Sequence, residues 1–376
     1  MKKITKRIIV AACVAVFAVS SIAVVACSQT GGGNSSDKEQ STYEPIRAGD
    51  ENGLVYYVLQ DGTMGVKKGD GDEEKVTVPA SYQDKAVTAI MENGFKDEKT
   101  IVEIVLPDTL TQIGKNAFLH CEKLETVNIP SGVTIIGEDA FSGCEALKTV
   151  GIPDSVTTIG KWAFNSCMSL KSISIPAGVK VIEEYTFSNC QELEEIHLSE
   201  GLERIGRGAF AWCGSLSDIR IPDSVVTIEM QAFSYCQGVA EVENDPESDF
   251  IISITLGGEN SRLTTIEDDA FLNCSGLREI VIPDNVKKIG KTAFGGCTLL
   301  TAATIGASVE EIGAGAFASC GKLQSVIFKD YNNWKTGWSG REEIKQNDLL
   351  NETTAAKTLR DKNHNRWVKT VKEDKL

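Results

Sequence analysis

Ten phenylalanines set the frame of this chain. Phe95, Phe118, Phe141, Phe164, Phe187, Phe210 and Phe233 stand 23 residues apart. The next step, to Phe271, is 38 residues, and Phe294 and Phe317 resume the 23-residue period. Three residues after every Phe except Phe95 comes a cysteine: Cys121, Cys144, Cys167, Cys190, Cys213, Cys236, Cys274, Cys297 and Cys320. Self-similarity at a fixed period of this length predicts a solenoid. Each repeat is one coil, and a lone coil cannot enclose its own apolar face, so neighbours must stack.

One repeat shows how a coil is built. Leu147, Val150 and Ile152 alternate with polar or small residues, as a short strand does. Pro153 has no N–H and cannot continue the ladder. Asp154-Ser155 is turn chemistry. Val156 and Ile159 return to the interior, and Ala163-Phe164 with Cys167 fit one turn of tight helix. The expected fold is therefore mainly β, with short helical or 3-10 turns, in about ten 23-residue coils over residues 76–328. The 38-residue step places an insertion at about 240–260; Leu263 and Ile266 match the Val156 and Ile159 positions, so it precedes them.

An open solenoid needs both ends covered. Residues 53–75 read as an N-terminal β cap, with apolar runs flanking Asp61-Gly62, a hairpin signal. Residues 329–376 lose the repeat but hold Trp334, Trp338 and Trp367, and read as a C-terminal cap. That tail carries 11 basic and 8 acidic residues, against the strongly acidic body.

The repeats resemble the BspA-type leucine-rich repeat family over roughly residues 53–328. The matching text is "LETVNIPSGVTIIGEDAFSGC", "LKTVGIPDSVTTIGKWAFNSC" and "LREIVIPDNVKKIGKTAFGGC". The resemblance implies a leucine-rich repeat solenoid capped at both ends. It implies extracellular recognition, including adhesion to host, matrix or other-cell proteins, and no catalytic centre.

The N-terminus reads as an export signal. Lys2, Lys3, Lys6 and Arg7 precede an apolar run from Ile8 to Ala26. Val24-Val25-Ala26-Cys27 resembles the lipobox of bacterial lipoproteins. The resemblance implies a signal peptide over 1–26, cleavage before Cys27, and lipid attachment at Cys27 that ties the protein to the bacterial envelope membrane. An uncleaved membrane anchor is the competing reading, because the run approaches the length of a span. Residues 27–52 include Gly31-Gly32-Gly33-Asn34-Ser35-Ser36 and read as a flexible tether.

Charge and chemistry narrow the function. The net charge is −15, and removing residues 1–26 takes away four cations, leaving −19. Such a chain should avoid nucleic acid and bare anionic membrane, and favour basic partners or cations. The nine in-phase cysteines are expected as one inward column of structural thiols, which offers no tetrahedral zinc set. His120 and His364 are isolated in sequence. His197 shares an expected open face with Glu195, Asp218 and Arg220, but no nucleophile signature accompanies it. No enzyme activity, cofactor or metal site is expected; the partners are extracellular proteins or glycoproteins.

Recognition should then sit on surfaces. One candidate is the outward strand face, acidic toward its middle through Glu195, His197, Asp218 and Arg220, and continued by Glu241 and Glu243 in the insertion. The other is two aromatic pairs at coil corners. Trp162 and Tyr185 stand two residues before their Phe, and Trp212 and Tyr235 two residues after, in neighbouring coils. Equal phase puts each pair side by side, where it could anchor a protein or stack on sugars, the basis of an alternative glycan-binding reading.

Overall fold

A computed structural model describes residues 45–46, 53–240, 250–336, 342–362 and 364–369, the backbone alone at 45–46, 239–240 and 250–251. The export segment, Cys27, the tether apart from residues 45–46, Glu241, Glu243 and Trp338 lie outside these residues; Pro45–Ile46, expected within the flexible tether, instead pair antiparallel with Tyr57 and Tyr56.

Each repeat contributes a long strand of three or four residues and a short strand of two, except that the first repeat's second strand, Lys85–Ile90, has six. Both pair in parallel with the equivalent strands one coil away. Thr149, Val150 and Gly151 sit beside Thr126, Val127 and Asn128, and Thr158 and Ile159 beside Ile135 and Ile136. The 23-residue period is thus a hydrogen-bond register. Long strands run from Lys75–Thr77 to Ser325–Phe328, one more than the phenylalanines, because the last opens a coil that the C-terminal segment completes. Inward positions are β-branched and buried, such as Val150, Ile173 and Ile219.

The third side of each coil carries the Phe. There every second N–H points to the next coil: Asn116 to the Glu138 carbonyl, Phe118 to Ala140 and His120 to Ser142, at 2.7–2.8 Å. The N–H groups between them bond back three residues, as Cys121 does to Phe118 at 3.1 Å. This alternation needs left-handed backbone two residues before and two after the Phe. Asn116 has φ 54° and His120 φ 59°. The expected helical turn is therefore a chain of separate tight turns, because each left-handed residue breaks the helical sense.

The Phe rings form one stack of ten, with consecutive centroids 5.0–5.4 Å apart. Phe233 and Phe271 are stacked at 5.4 Å, so the long step adds no coil to the interior. The extra residues divide. Asp218 pairs with Ser253, 35 positions on, and Thr227 with Thr265, 38 on. Twelve of the fifteen therefore enter before the long strand, where Val239–Ala240 and Phe250–Ile251 pair antiparallel. The other three lengthen the turn after it.

Both ends are covered. A hairpin, Leu54–Val58 with Met64–Lys68, joins Lys85–Ile90 at the front. At the back, Trp367–Lys369 adds antiparallel to Glu311–Ile312 and pairs with Trp334–Thr336. Trp334 and Trp367 are buried against Phe328. The helix Glu352–Asp361, whose N-terminus Asn351 caps by accepting the Thr354 N–H at 3.0 Å, buries Ala355, Ala356 and Leu359 beside the last long strand. Covered ends withhold the unpaired strand edges that invite aggregation.

Candidate recognition surfaces

The cysteines belong to the interior. All nine are free and buried. Each thiol donates to the carbonyl of the Phe one coil back, at 3.0–3.5 Å. The Phe118 carbonyl, for example, takes the Cys121 N–H at 3.1 Å and the Cys144 thiol at 3.2 Å, using both lone pairs. Burial pushes the Cys190 and Cys274 thiols up to about 12, and raises Cys144, Cys167, Cys213, Cys236 and Cys297 as well. Groups kept neutral and dry are poor nucleophiles and poor metal ligands. Among the described residues no cluster of His, Cys, Asp and Glu could hold a metal ion.

The long-strand face brings the charged candidates together. Glu195 lies beside Ser172 on one side and Asp218 on the other; His197 lies beside Ser174, and Arg220 beside Thr255. Glu195, His197 and Arg220 are exposed. Arg220 Nε donates to Asp218 at 2.9 Å, so the acid expected at this point is partly neutralised within its own strand. Glu195 faces solvent and makes no ion pair among the described residues. Among the described residues the His197 ring makes no hydrogen bond, so nothing fixes it for proton transfer.

Sequence reasoning missed a recess on this same face, toward the C-terminal end. Its volume is about 960 Å³, and Ser253, Thr255, Glu279, Val281, Asp284 and Lys329 are among its walls. The three residues added to the turn after Ser253–Leu256 build one side of it. There Gly258 donates its N–H to Asp223 at 2.5 Å. Asp284 is tied to Lys329 at 2.9 Å, which holds its carboxyl below the usual range. Val281 is 59% exposed. The Gly257-Gly258 pair and the uneven split of the insertion are the signals that could have revealed it.

The aromatic pairs stack. Trp162 and Tyr185 have centroids 6.0 Å apart at 1°, and Trp212 and Tyr235 3.8 Å apart at 5°. All four are left-handed, with φ of 54°, 54°, 64° and 62°. They occupy the two positions that the turn chain forces into that conformation, where other coils place mostly Asn, Asp, Gly or Ser, and once each Gln231, Thr292 and His120. A side chain with a Cβ pays about 1–2 kcal/mol there, and an aromatic stack returns about 0.5–1.5 kcal/mol. The two pairs differ in surroundings. Tyr185 lies down over Gly208, where a Cβ would strike its ring, and Trp162 is half-buried. Trp212 is 53% exposed. The Asn, Asp and Gly recurring at both positions were a readable sign of left-handed backbone.

The family that the chain matches agrees with this architecture. Residues 75–167, 111–240 and 250–337 match the family model for the BspA type leucine rich repeat region, described as six copies. No curated protein matches the chain. Among solved structures, a leucine-rich repeat protein from Bacteroides ovatus is 27% identical, with a TM-score of 0.45, covering 77% of this chain and 94% of its own. A leucine rich cell surface protein from Faecalibacterium prausnitzii is 25% identical, with a TM-score of 0.43, covering 83% and 98%. Matched over more than half of its length, the chain belongs to the BspA-type leucine-rich repeat family.

Proposed function

We propose that this protein is exported, anchored by lipid at Cys27, and displayed at the cell surface as an adhesin that binds other macromolecules through its long-strand face. The observation that carries the reading is the ladder of outward side chains, Glu195 beside Asp218 and Ser174 beside His197, held in register by paired backbone. Backbone already ordered has little entropy to lose on binding. The net charge of −15 favours a basic partner. The recess beside Val281 can seat an apolar side chain next to Glu279. The partner of this chemistry is an extended, lysine- or arginine-bearing segment of an extracellular protein. Two acyl chains at Cys27 suffice for stable anchoring.

The test uses the soluble chain, residues 28–376, against a panel of matrix glycoproteins before and after enzymatic deglycosylation, at low and high salt. Binding that survives deglycosylation, weakens with salt and falls at least tenfold in Glu195→Lys with Asp218→Lys supports the reading. Binding unchanged by charge reversal, or no binding to any panel member, contradicts it.

A further inference from the structure

We propose that Trp212, backed by Tyr235, is a stacking platform for an uncharged saccharide ring. The site is separate from the long-strand face and does not depend on it.

The first argument is an open ring face. Tyr235 covers one face of Trp212 at 3.8 Å, yet Trp212 stays 53% exposed. A ring closed on one side keeps that much surface only if its other face is open. In register, the preceding coil places Asn189 at this position. Asn189 is smaller, and its amide is turned to its own neighbours, donating to Ser166 at 3.1 Å and accepting from Gln191 at 3.0 Å.

The second argument is that the fold does not ask for these aromatics. The same left-handed position holds Gly143 and Gly296, at φ 71° and 73°, and Asn189 and Asn273, at φ 60° and 58°. With Ser166 and Ser319, six of the other coils are therefore served by small polar residues or glycine, and two more by Asp97 and His120. A Trp and a Tyr held at φ 64° and 62° are strained where easier residues demonstrably work. Strain of this kind, combined with exposure, marks function better than packing.

The third argument selects the ligand. Two residues beyond each ring position, successive coils carry Gln191, Gly214 and Gln237. Ser215 donates its N–H to the Gln191 carbonyl at 3.2 Å, so these coils are direct neighbours. Nothing lies within 4 Å of the place a Gly214 side chain would fill. Beside the open ring there is thus a gap flanked by two exposed amides. Amides both donate and accept, which suits the paired hydroxyls of a sugar, while the C–H face of a pyranose covers an indole. The residues that flank the gap in sequence, 189–191, 212–216 and 235–238, carry no charge, which favours a neutral ring. A protein hot spot differs, because it is ringed by contacts that exclude water, and this one stands on an open corner.

The experiment titrates the soluble chain, residues 28–376, with neutral oligosaccharides ending in glucose, galactose or N-acetylglucosamine, followed by tryptophan fluorescence and calorimetry. The variants are Trp212→Gly and Tyr235→Asn, residues the same column already uses. The expected result is saturable binding by the parent, at least tenfold weaker binding in Trp212→Gly, and an unfolding midpoint no lower than the parent's. Absence of binding to every oligosaccharide overturns the proposal. So does binding within twofold in both variants, or binding to a deglycosylated protein that is lost in Trp212→Gly, which would make the ring a protein contact. Because Glu195→Lys with Asp218→Lys leaves this corner untouched, failure here and failure of the strand-face reading are told apart.

Discussion

Two positions, two residues apart on the same turn, obey opposite rules. At the Phe position all ten coils carry the same side chain, each ring stacked on the next at 5.0–5.4 Å in a dry interior. Two residues later the coils carry Asp97, His120, Gly143, Ser166, Asn189, Trp212, Tyr235, Asn273, Gly296 and Ser319, all left-handed. In the nine coils from Phe95 to Phe294 the backbone does the same thing, because its N–H bonds run to the next coil at both positions. What differs is the side chain's surroundings. Inside, volume must match from coil to coil, since close-packed cores tolerate neither voids nor excess. At the corner the side chain points away from the stack, so its identity is free to serve something other than folding.

That contrast can be broken at several places. The largest effect is expected from Phe164→Ala, which removes a ring from between Phe141 and Phe187, at 5.2 and 5.3 Å. A loss of about 3–5 kcal/mol follows from cavity formation in a core, read as a lower denaturant midpoint. A smaller loss, about 1–2 kcal/mol, is expected for Cys190→Ala, which deletes a buried S–H···O bond to Phe164 along with the sulfur's packing. In the same spirit, the soluble chain's nine thiols should react with a thiol reagent at pH 8 only after denaturant is added. Burial holds the Cys190 thiol up at about 12 and so leaves almost no thiolate. Prompt labelling of several thiols in native buffer contradicts a closed column.

The C-terminal cap gives a third, weaker effect. Burial pushes the Asp330 carboxyl up, but the Lys369 ammonium at 2.9 Å, with hydrogen bonds from Asn332, outweighs it and holds the carboxyl below 3.8. A carboxylate lowered by folding stabilises above its unfolded value, and that contribution is lost as pH falls through the folded one. The pair is partly exposed, so it amounts to at most about 1 kcal/mol. Fluorescence of the buried cap tryptophans should hold steady from pH 8 to 5 and shift below 3.8. In Lys369→Ala the step should move to higher pH; an unchanged step shows that Lys369 does not hold Asp330.

The period alone made the interior legible, because Phe, Ala and Cys recur at spacings that only stacked coils satisfy. Trp334 and Trp367 similarly gave away the cap, since large rings outside the repeat need somewhere to be buried. The turn chain was less legible. Phe and Cys at i and i+3 fit a helix, and only the Asn, Asp and Gly two residues either side of Phe told against it. The recess near Val281 was hidden because the 38-residue step reads as one insertion, while pairing of Ser253 and Thr265 divides it in two. The Asp218–Arg220 pair was hidden for a different reason: the alternation shows that both face outward, and their charges were counted rather than paired.

The most direct test sets the two rules side by side. Trp212→Gly and Phe164→Ala are unfolded by denaturant in one series with the parent chain. If the interior holds the fold and the corner is free, Trp212→Gly matches the parent or gains up to about 1 kcal/mol from relieved left-handed strain, while Phe164→Ala loses several. A loss in Trp212→Gly comparable to that of Phe164→Ala would contradict the account, and would make the corner aromatics part of what holds the coils together.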